Sequence, residues 1–345
     1  MKKNIAIIMG GYSSEYQISL KSGNVVYETL DKTLFNAYRI HIFKDKWVYV
    51  DDNNNEYPID KNDFSFTKDN SKTTFDCVFN AIHGSPGEDG FMQGYFKLLN
   101  IKHTSCSMYQ AGITFNKRDC LSILKPYGIL TAESYFLNAG DTIYEDQIIS
   151  KVGLPCFVKA NKAGSSFGIT KVHKKEDLQH AINVAFKEDD EIIIESFLDG
   201  TEVSVGVITY KGETKVLPIT EIVSENDFFD YEAKYQDQTT EYVLPAKISS
   251  DIYDLALDYA ERVYNIVGCA GLARCDFRFD ESLGTEGLFL LEINTQPGFT
   301  AQSIGPSQVI YNGTSFNALC ERLIETALCP KNENKIVKFS KRKVA

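Results

Sequence analysis

Two short stretches of this 345-residue chain carry groups fit for charge chemistry: Ala273-Arg274-Cys275-Asp276-Phe277, and the run from Leu288 to Thr300. In the first, Arg274, Asp276 and Arg278 alternate with Ala273, Cys275, Phe277 and Phe279. In the second, Leu288, Leu290 and Glu292 alternate with Phe289, Leu291 and Ile293. Alternation with a period of two reads as β-strand. The polar, glycine-bearing segment from Asp280 to Glu286 reads as the hairpin loop between them. Antiparallel pairing about Gly284 sets Asp276 opposite Glu292 and Arg274 opposite Asn294, all four on one side. Two opposed carboxylates destabilise a sheet unless something positive lies between them. Together with the Asn294 amide they are hard oxygen ligands, suited to magnesium shared with phosphates. Arg274 beside them can hold an anionic oxygen. The competing reading is a solvated charged face. Pro297-Gly298 counts against it, because that turn brings backbone N–H groups up beside the acidic cluster.

The elements that must position this cluster are read from the rest of the chain. Ile5 to Met9 is a buried strand followed by Gly10-Gly11 and a helical pattern through Ile18, Val25, Val26 and Leu30. Strand, glycine turn and helix open a doubly wound α/β domain, without the G-x-G-x-x-G dinucleotide fingerprint. Ser13 or Ser14 caps the helix, and Glu15 sits in its first turn, where the helix dipole stabilises a carboxylate. Residues 44–74 are polar and read as an elaborated surface segment with one strand, Trp47 to Val50. Phe75 to Ile82 is another buried strand. It ends in His83-Gly84, at the carboxyl end of a sheet strand where α/β ligands bind. On its own, His83 reads as readily as a structural histidine.

Farther on, Pro155 to Lys159 and Ile169 to Val172 are strands around Lys162-Ala163-Gly164-Ser165-Ser166-Phe167-Gly168. Such a loop can wrap phosphates through its backbone N–H groups, although no Walker A motif occurs. The alternative is a plain hairpin. Asn226 to Glu241 is polar and aperiodic, as an active-site loop would be. Ser250 caps a helix through Val267 that Gly268 stops.

Composition narrows the function. Hydrophobic residues make up 43% and charged residues 24%, as in a soluble globular protein. A net charge of −11 argues against general nucleic-acid or membrane-surface binding. Eight scattered cysteines without C-x-x-C spacing fit buried thiols in a reducing cytosol. The apolar run after Met1-Lys2-Lys3 is too short for a signal-peptide core or a membrane span. The expected location is cytoplasmic.

Several motifs in one order make a specific resemblance: Gly10-Gly11-x-Ser13-x-Glu15, His83-Gly84-x-x-Gly87-Glu88-Asp89-Gly90-x-x-Gln93-Gly94, Asn116-Lys117, Gly164-Ser165-Ser166-x-Gly168, Tyr231-x-x-Lys234-Tyr235, Arg274-x-Asp276, and Glu292-x-Asn294-Thr295-x-Pro297-Gly298-x-Thr300. With these the chain resembles the D-alanine–D-alanine ligases of the ATP-grasp superfamily, from Ile5 to about Leu328. The resemblance implies an N-terminal α/β domain over 1–117, a central ATP-grasp lid over 118–206 and a C-terminal ATP-grasp subdomain over 207–330. A basic tail over 331–345 follows. It implies ATP with two magnesium ions, manganese being an alternative, and ligation of two D-alanines through an acyl phosphate for peptidoglycan synthesis.

The same resemblance implies roles residue by residue. Lys117 and Lys159 contact phosphates, and the loop around Ser165 closes over them. Glu195 and Glu202 lie near adenine and ribose, the backbone at Phe197 and Leu198 meets the adenine edge, and Lys234 belongs to the nucleotide site. Asp276, Glu292 and Asn294 hold the metal ions. Glu15 grips the ammonium of the first D-alanine, and Ser303 takes the carboxylate of the second, with His83 and Ile304 in the substrate site. Arg274 and the Gly298 N–H stabilise the tetrahedral intermediate. Ser165 and Tyr235 join Glu15 in the catalytic set, and Tyr235 stands where depsipeptide-forming relatives carry histidine.

This sequence departs from the family's pattern at Ala160 and Ala163, and Gln296 and Gly305 occupy variable positions. The partners implied are small molecules, with a homodimer a further expectation of the family. The alternatives are a related ligase with D-lactate, D-serine or another amino acid as acceptor, and a nucleotide-binding protein without catalysis. The intact Arg274, Asp276, Glu292 and Asn294 set argues against the latter. A Rossmann dehydrogenase is disfavoured by the missing fingerprint.

Overall fold

The computed structural model describes residues 2–164, 168–223 and 240–329. Three sheets divide it. The first holds β1 (Lys3–Gly10), β2 (Phe35–Ile42), β3 (Trp47–Val50), β4 (Glu56–Asp60), β5 (Ser65–Lys68), β6 (Ser71–Thr73), β7 (Cys77–Asn80) and β8 (Lys102–His103), in the order β6-β5-β4-β3-β2-β1-β7-β8. Strands β2, β1, β7 and β8 run parallel. Helices α1 (Tyr16–Thr29) and α2 (Phe91–Leu98) follow β1 and β7. The parallel part is the expected doubly wound start. Residues 47–73 form four antiparallel strands rather than one. Those strands are short and half exposed, so they carry little apolar alternation. A cluster of Tyr38, Tyr49, Tyr57, Phe66 and Phe75 rings glues them to β2.

Helices α3 (Met108–Phe115) and α4 (Lys117–Leu124) lead into the second sheet. This holds β9 (Ser134–Asn138), β10 (Cys156–Ala160), β11 (Thr170–Val172) and β12 (Glu191–Ser196), all antiparallel, with α5 (Glu145–Val152) and α6 (Lys175–Ala185) packed on its apolar face. The third sheet contains β13 (Thr201–Tyr210), β14 (Glu213–Val216), β15 (Thr220–Val223), β16 (Glu241–Val243), β17 (Leu272–Phe279) and β18 (Leu288–Asn294). Helix α7 (Ser250–Val267) covers one face through Ile252, Ala256, Ala260, Val263 and Val267, the periodic positions expected of it. Gly268 ends it in a left-handed conformation, as read, but the N-cap is Ser249, one residue before Ser250. Strand β13 belongs whole to the third sheet, so position 206 lies inside it and the sheets divide at the Phe197–Gly200 turn.

The last helices, α8 (Ile304–Tyr311) and α9 (Phe316–Leu328), return to the beginning of the chain. Leu319, Cys320, Leu323 and Ile324 of α9 share one core with Ile5, Ile7, Met9, Cys77 and Phe79 of the first sheet and with Leu217 and Leu272 of the third. The N- and C-terminal parts are joined by buried apolar surface, the dominant favourable contribution in such packing.

The third sheet is pinned to its helix by a buried polar contact as well. The Tyr264 hydroxyl donates to the Gly271 carbonyl at 2.8 Å and pairs with Thr209 Oγ1 at 2.7 Å, and the side chain is 1% exposed. Tyr264→Phe leaves Thr209 Oγ1 short of a bond, while the Gly271 carbonyl keeps its bond from Thr209 N at 3.1 Å. The change is expected to cost about 1–3 kcal/mol. Urea unfolding should show a lower midpoint with an unchanged slope.

Candidate active site

The Arg274–Asp276 and Glu292–Asn294 strands pair as the alternation implied, with Asp276 opposite Glu292 and Arg274 opposite Asn294. Beyond Asp276 the register shifts, so that Phe277 faces Leu290 and Leu291 is the extra residue. This bulge corrects the simple alternation. Leu288 and Leu290 share the core face with Ile293, whereas Glu292 faces away from it. The connecting segment is a 3-10 turn over Glu281–Gly287 rather than an open hairpin loop.

The opposed carboxylates are each met by a cation. Arg274 grips Asp276 through Nε at 2.8 Å and a terminal nitrogen at 2.7 Å, a bidentate fork. Ser204 Oγ donates to the same carboxylate at 2.5 Å. Lys117 Nζ lies 3.3 Å from Glu292 Oε2 and also donates to the Ala163 carbonyl at 2.8 Å. Asn116 sets Lys117 at the start of α4. Its side chain accepts from Asp119 N, and its Oδ1 also takes the Asn161 amide.

A cleft of about 370 Å³ opens over this arrangement. It is lined by Glu15, His83, Lys117, Arg274, Glu292, Asn294, Gly298, Ser303 and Ile304, which the sequence reading had scattered over the whole chain. Asp276 lies beneath Arg274 and off the cleft wall. Glu15 is the N-cap of α1 rather than a first-turn residue; its backbone N–H is taken by Ser13 Oγ, and neither serine caps the helix with its side chain. The Glu15 carboxylate lies so close to the glycine loop that a Cβ on Gly164 would sit 2.6 Å from Oε2. Only glycine admits that approach. Ser303 is the N-cap of α8, its Oγ held between Thr300 N and Thr300 Oγ1 at 3.1 and 2.9 Å.

The residues expected around a nucleotide form a neighbouring group on β10, β12 and β13. Lys159 Nζ donates to Glu195 Oε2 at 2.7 Å. Burial works against the lysine charge, but attraction to Glu195, reinforced by Glu292 and Glu202, outweighs it and holds the Lys159 pKa above the ordinary value. Glu202 pairs with Arg278 at 3.3 Å. Phe197 carries Lys171 over its ring at 4.3 Å, and Leu198 is half-buried next to it. Ser165, Lys234 and Tyr235 lie outside the described residues.

Two groups in the site have no role that the sequence makes evident. Glu88 lines the cleft and accepts from Gly84 N at 2.8 Å. Burial, with Glu15 and Glu292 adding repulsion, pushes its pKa up to about 8. Gln296, read as variable, is buried. It donates to the Asn80 carbonyl at 2.6 Å, while its own carbonyl meets His83 Nδ1 at 3.0 Å. His83 also contacts Ser22 Oγ at 3.0 Å, and burial lowers its pKa, disfavouring the charged ring. A carboxylate directly after the Gly87 turn was the only available sign for Glu88. Nothing local distinguishes Gln296.

Among the described residues no cluster of three or more His, Cys, Asp or Glu side chains could hold a metal, and no helix is long and apolar enough to cross a membrane. The oxygen set proposed here holds two carboxylates and an amide, so it is not such a cluster.

A partly parallel sheet followed by two antiparallel sheets, with lysines and acids between the latter, is the ATP-grasp architecture. Residues 4–106 match the D-ala D-ala ligase N-terminus and residues 122–325 the D-ala D-ala ligase C-terminus. The D-alanine–D-alanine ligase of Flavobacterium johnsoniae is 60% identical over 94% of this chain and 99% of its own. The VanG D-Ala:D-Ser ligase of Enterococcus faecalis superposes with a TM-score of 0.81 at 30% identity, covering 94% of this chain and 99% of its own. A Bacillus anthracis D-alanine–D-alanine ligase complexed with ATP gives 0.74 at 26% identity, covering 94% and 97%. The chain belongs to the D-alanine–D-alanine ligase family.

The raised Glu88 pKa has a signed consequence. The folded state binds this proton more tightly than the unfolded chain, whose glutamate titrates near the ordinary value. The Glu88 contribution to stability is therefore full below about pH 4.5 and is lost as pH rises through about 8. Glu88→Gln is expected to melt higher than the parent at pH 8 to 9 and with little difference at pH 4 to 5. Thermal melts without nucleotide or divalent cation, across that range, check it; an advantage that does not grow with pH contradicts the assignment.

Proposed function

We propose that this protein joins two D-alanine molecules into D-alanyl-D-alanine at the expense of ATP, through an acyl phosphate, as a cytoplasmic step of peptidoglycan precursor synthesis. The reading is carried by one observation, the convergence of Glu15, Arg274, Lys117, Gly298 and Ser303 on a single cleft. A carboxylate for an ammonium, a hydroxyl for a carboxylate, and cations for phosphate and oxyanion are the groups this condensation requires.

Glu15 takes the ammonium of the first D-alanine and so orients its carboxylate toward the nucleotide side. Lys117 and Lys159 offset negative charge on the transferring phosphoryl group. Glu195 and Glu202 lie near adenine and ribose, the backbone at Phe197 and Leu198 meets the adenine edge, and Lys234 belongs to the nucleotide site. Ser303 takes the carboxylate of the second D-alanine, with Ile304 and His83 shaping its pocket. Arg274 and the Gly298 N–H meet the charge that builds on the attacked carbonyl. Removing one such donor typically costs on the order of a hundredfold in rate. Ser165 and Tyr235, which lie outside the described residues, are assigned with Glu15 to the catalytic set on the family resemblance.

Asp276, Glu292 and Asn294 fit divalent cations. They are hard oxygen donors on paired strands, and Asp276 and Glu292 already require cationic partners in Arg274 and Lys117. These three residues would hold two magnesium ions, or manganese, which when bound supply Lewis-acid polarisation and charge neutralisation.

Two experiments test the reading. Phosphate release from ATP should depend on D-alanine and be much weaker with L-alanine. In equimolar D-alanine, D-serine and D-lactate the product should be D-alanyl-D-alanine; a mainly D-serine or depsipeptide product would move the protein to another acceptor class. Glu292→Gln removes one charge from the oxygen set without changing its size. Turnover should fall by at least about a hundredfold while the melting temperature holds. A folded variant with near-normal turnover removes Glu292 from the essential set.

A further inference from the structure

Strand β13 contains a backbone donor that its neighbouring strands leave unpaired. Its ladder with β15 ends at Ser204 opposite Thr220, and its ladder with β14 begins at Val207 opposite Val216. Gly206 falls in the gap. On the other edge, β13 pairs with β17, where Ser204 is opposite Asp276 and Gly206 is opposite Arg274.

A side chain from helix α8 fills this gap. Gln308, 0% exposed, accepts from Gly206 N at 2.9 Å through Oε1. Its Nε2 donates to the Ser204 carbonyl at 2.8 Å and to Thr220 Oγ1 at 2.9 Å. Both ends of a fully buried amide are in use, the case in which deletion is most costly. Gly206 leaves room for Gln308, because a Cβ there would lie 2.4 Å from Gln308 Oε1 and 2.8 Å from Leu217 Cδ1.

The helix that carries Gln308 begins at the cleft. Ser303 and Ile304 line it, and Gln308 follows Ile304 by one turn on the same face. One amide thus ties the start of α8 to the two β13 residues that stand opposite Arg274 and Asp276.

We propose that Gln308 is a positioning residue for the acceptor subsite. It fixes α8 against β13, so that Ser303 keeps a set relation to Arg274, and through this it governs how tightly the second amino acid binds. The inference rests on the reading above that Ser303 receives the acceptor carboxylate.

The test compares the full-length parent with Gln308→Ala and with Gly206→Ala/Gln308→Ala. In the double variant the new methyl group enters the space left by the amide while the end of the Leu217 side chain, 2.8 Å from that position, gives way, so packing recovers in part and the hydrogen bonds do not. Initial rates over D-alanine, analysed for two sites, and over ATP are measured beside thermal melts. The KM of the second D-alanine should rise about tenfold in both variants, the order of one buried hydrogen-bonded group lost. The KM of the first D-alanine and of ATP should stay within about twofold of the parent. The double variant should melt higher than Gln308→Ala without recovering the KM.

Gln308→Glu keeps the volume and the acceptor for Gly206 N. It serves where Gln308→Ala does not fold, with the same constant raised by a smaller factor. Constants that all move together, a KM that recovers with the melting temperature, or an unchanged second-site KM overturn the proposal. If the parent itself releases no phosphate in response to D-alanine, the ligase reading fails. If the parent is active and the variants match it, the positioning role alone fails.

Discussion

Two carboxylates directly opposite each other on adjacent strands are an electrostatic debt that the rest of this molecule is arranged to offset. Asp276 and Glu292 cannot share that position unless cations meet them. The chain supplies one cation from the same strand, Arg274, and one from the start of a helix more than 150 residues earlier, Lys117. To bring Lys117 there, α4 must pack against the third sheet, which it does through Cys120, Leu121 and Leu124. The apolar packing and the charge arrangement therefore specify the same geometry. That agreement between levels is what a well-determined fold requires.

The same pairing explains why the site gathers residues from all three sheets. Glu15 arrives on the first βα turn, Lys159 on a strand of the second sheet, and Arg274 and Glu292 on the third. Each sits at or near an element end, where a side chain can be held rigidly and still face a cleft. Lys159 responds to acids from both sides, Glu195 on its own sheet and Glu292 on the next. The Lys159–Glu195 group and the group around Glu292 are thus one connected field rather than two.

Much of this was legible in the sequence, and the reasons differ by residue. The facing of Asp276 with Glu292 followed from period-two alternation around a polar loop. The bulge at Leu291 was hidden because Phe289 and Leu291 are as apolar as Leu288 and Leu290, so the alternation has no polar residue to betray a slip. Strands β4 to β6 escaped because each is only three to five residues long, and what orders them is an aromatic cluster assembled from distant positions. Glu15 was read one position too far into its helix, an ordinary boundary error. Glu88, Gln296 and Gln308 were quoted or passed over without a role, because burial of a polar side chain is a property of the packed molecule. A glutamine in a short apolar helix looks the same in sequence whether it faces water or a strand gap.

The core shared by β1, β7 and α9 bears on how the chain is made. Ile5, Ile7, Cys77 and Phe79 find part of their cover in Leu319, Cys320, Leu323 and Ile324. A ribosome adding about 5–20 residues per second needs roughly ten seconds to a minute to bridge that interval. Throughout it, the first sheet can curl, pair its parallel strands and take cover from Val26 and Leu30 at the end of α1, yet the rest of that apolar face stays open until the end of the chain emerges. Synthesis therefore leaves a sticky, half-covered sheet waiting on the last helix. A nascent chain stalled before Leu319 presents that face to chaperones and to other nascent chains, and truncations near the end would be felt first as aggregation of the beginning.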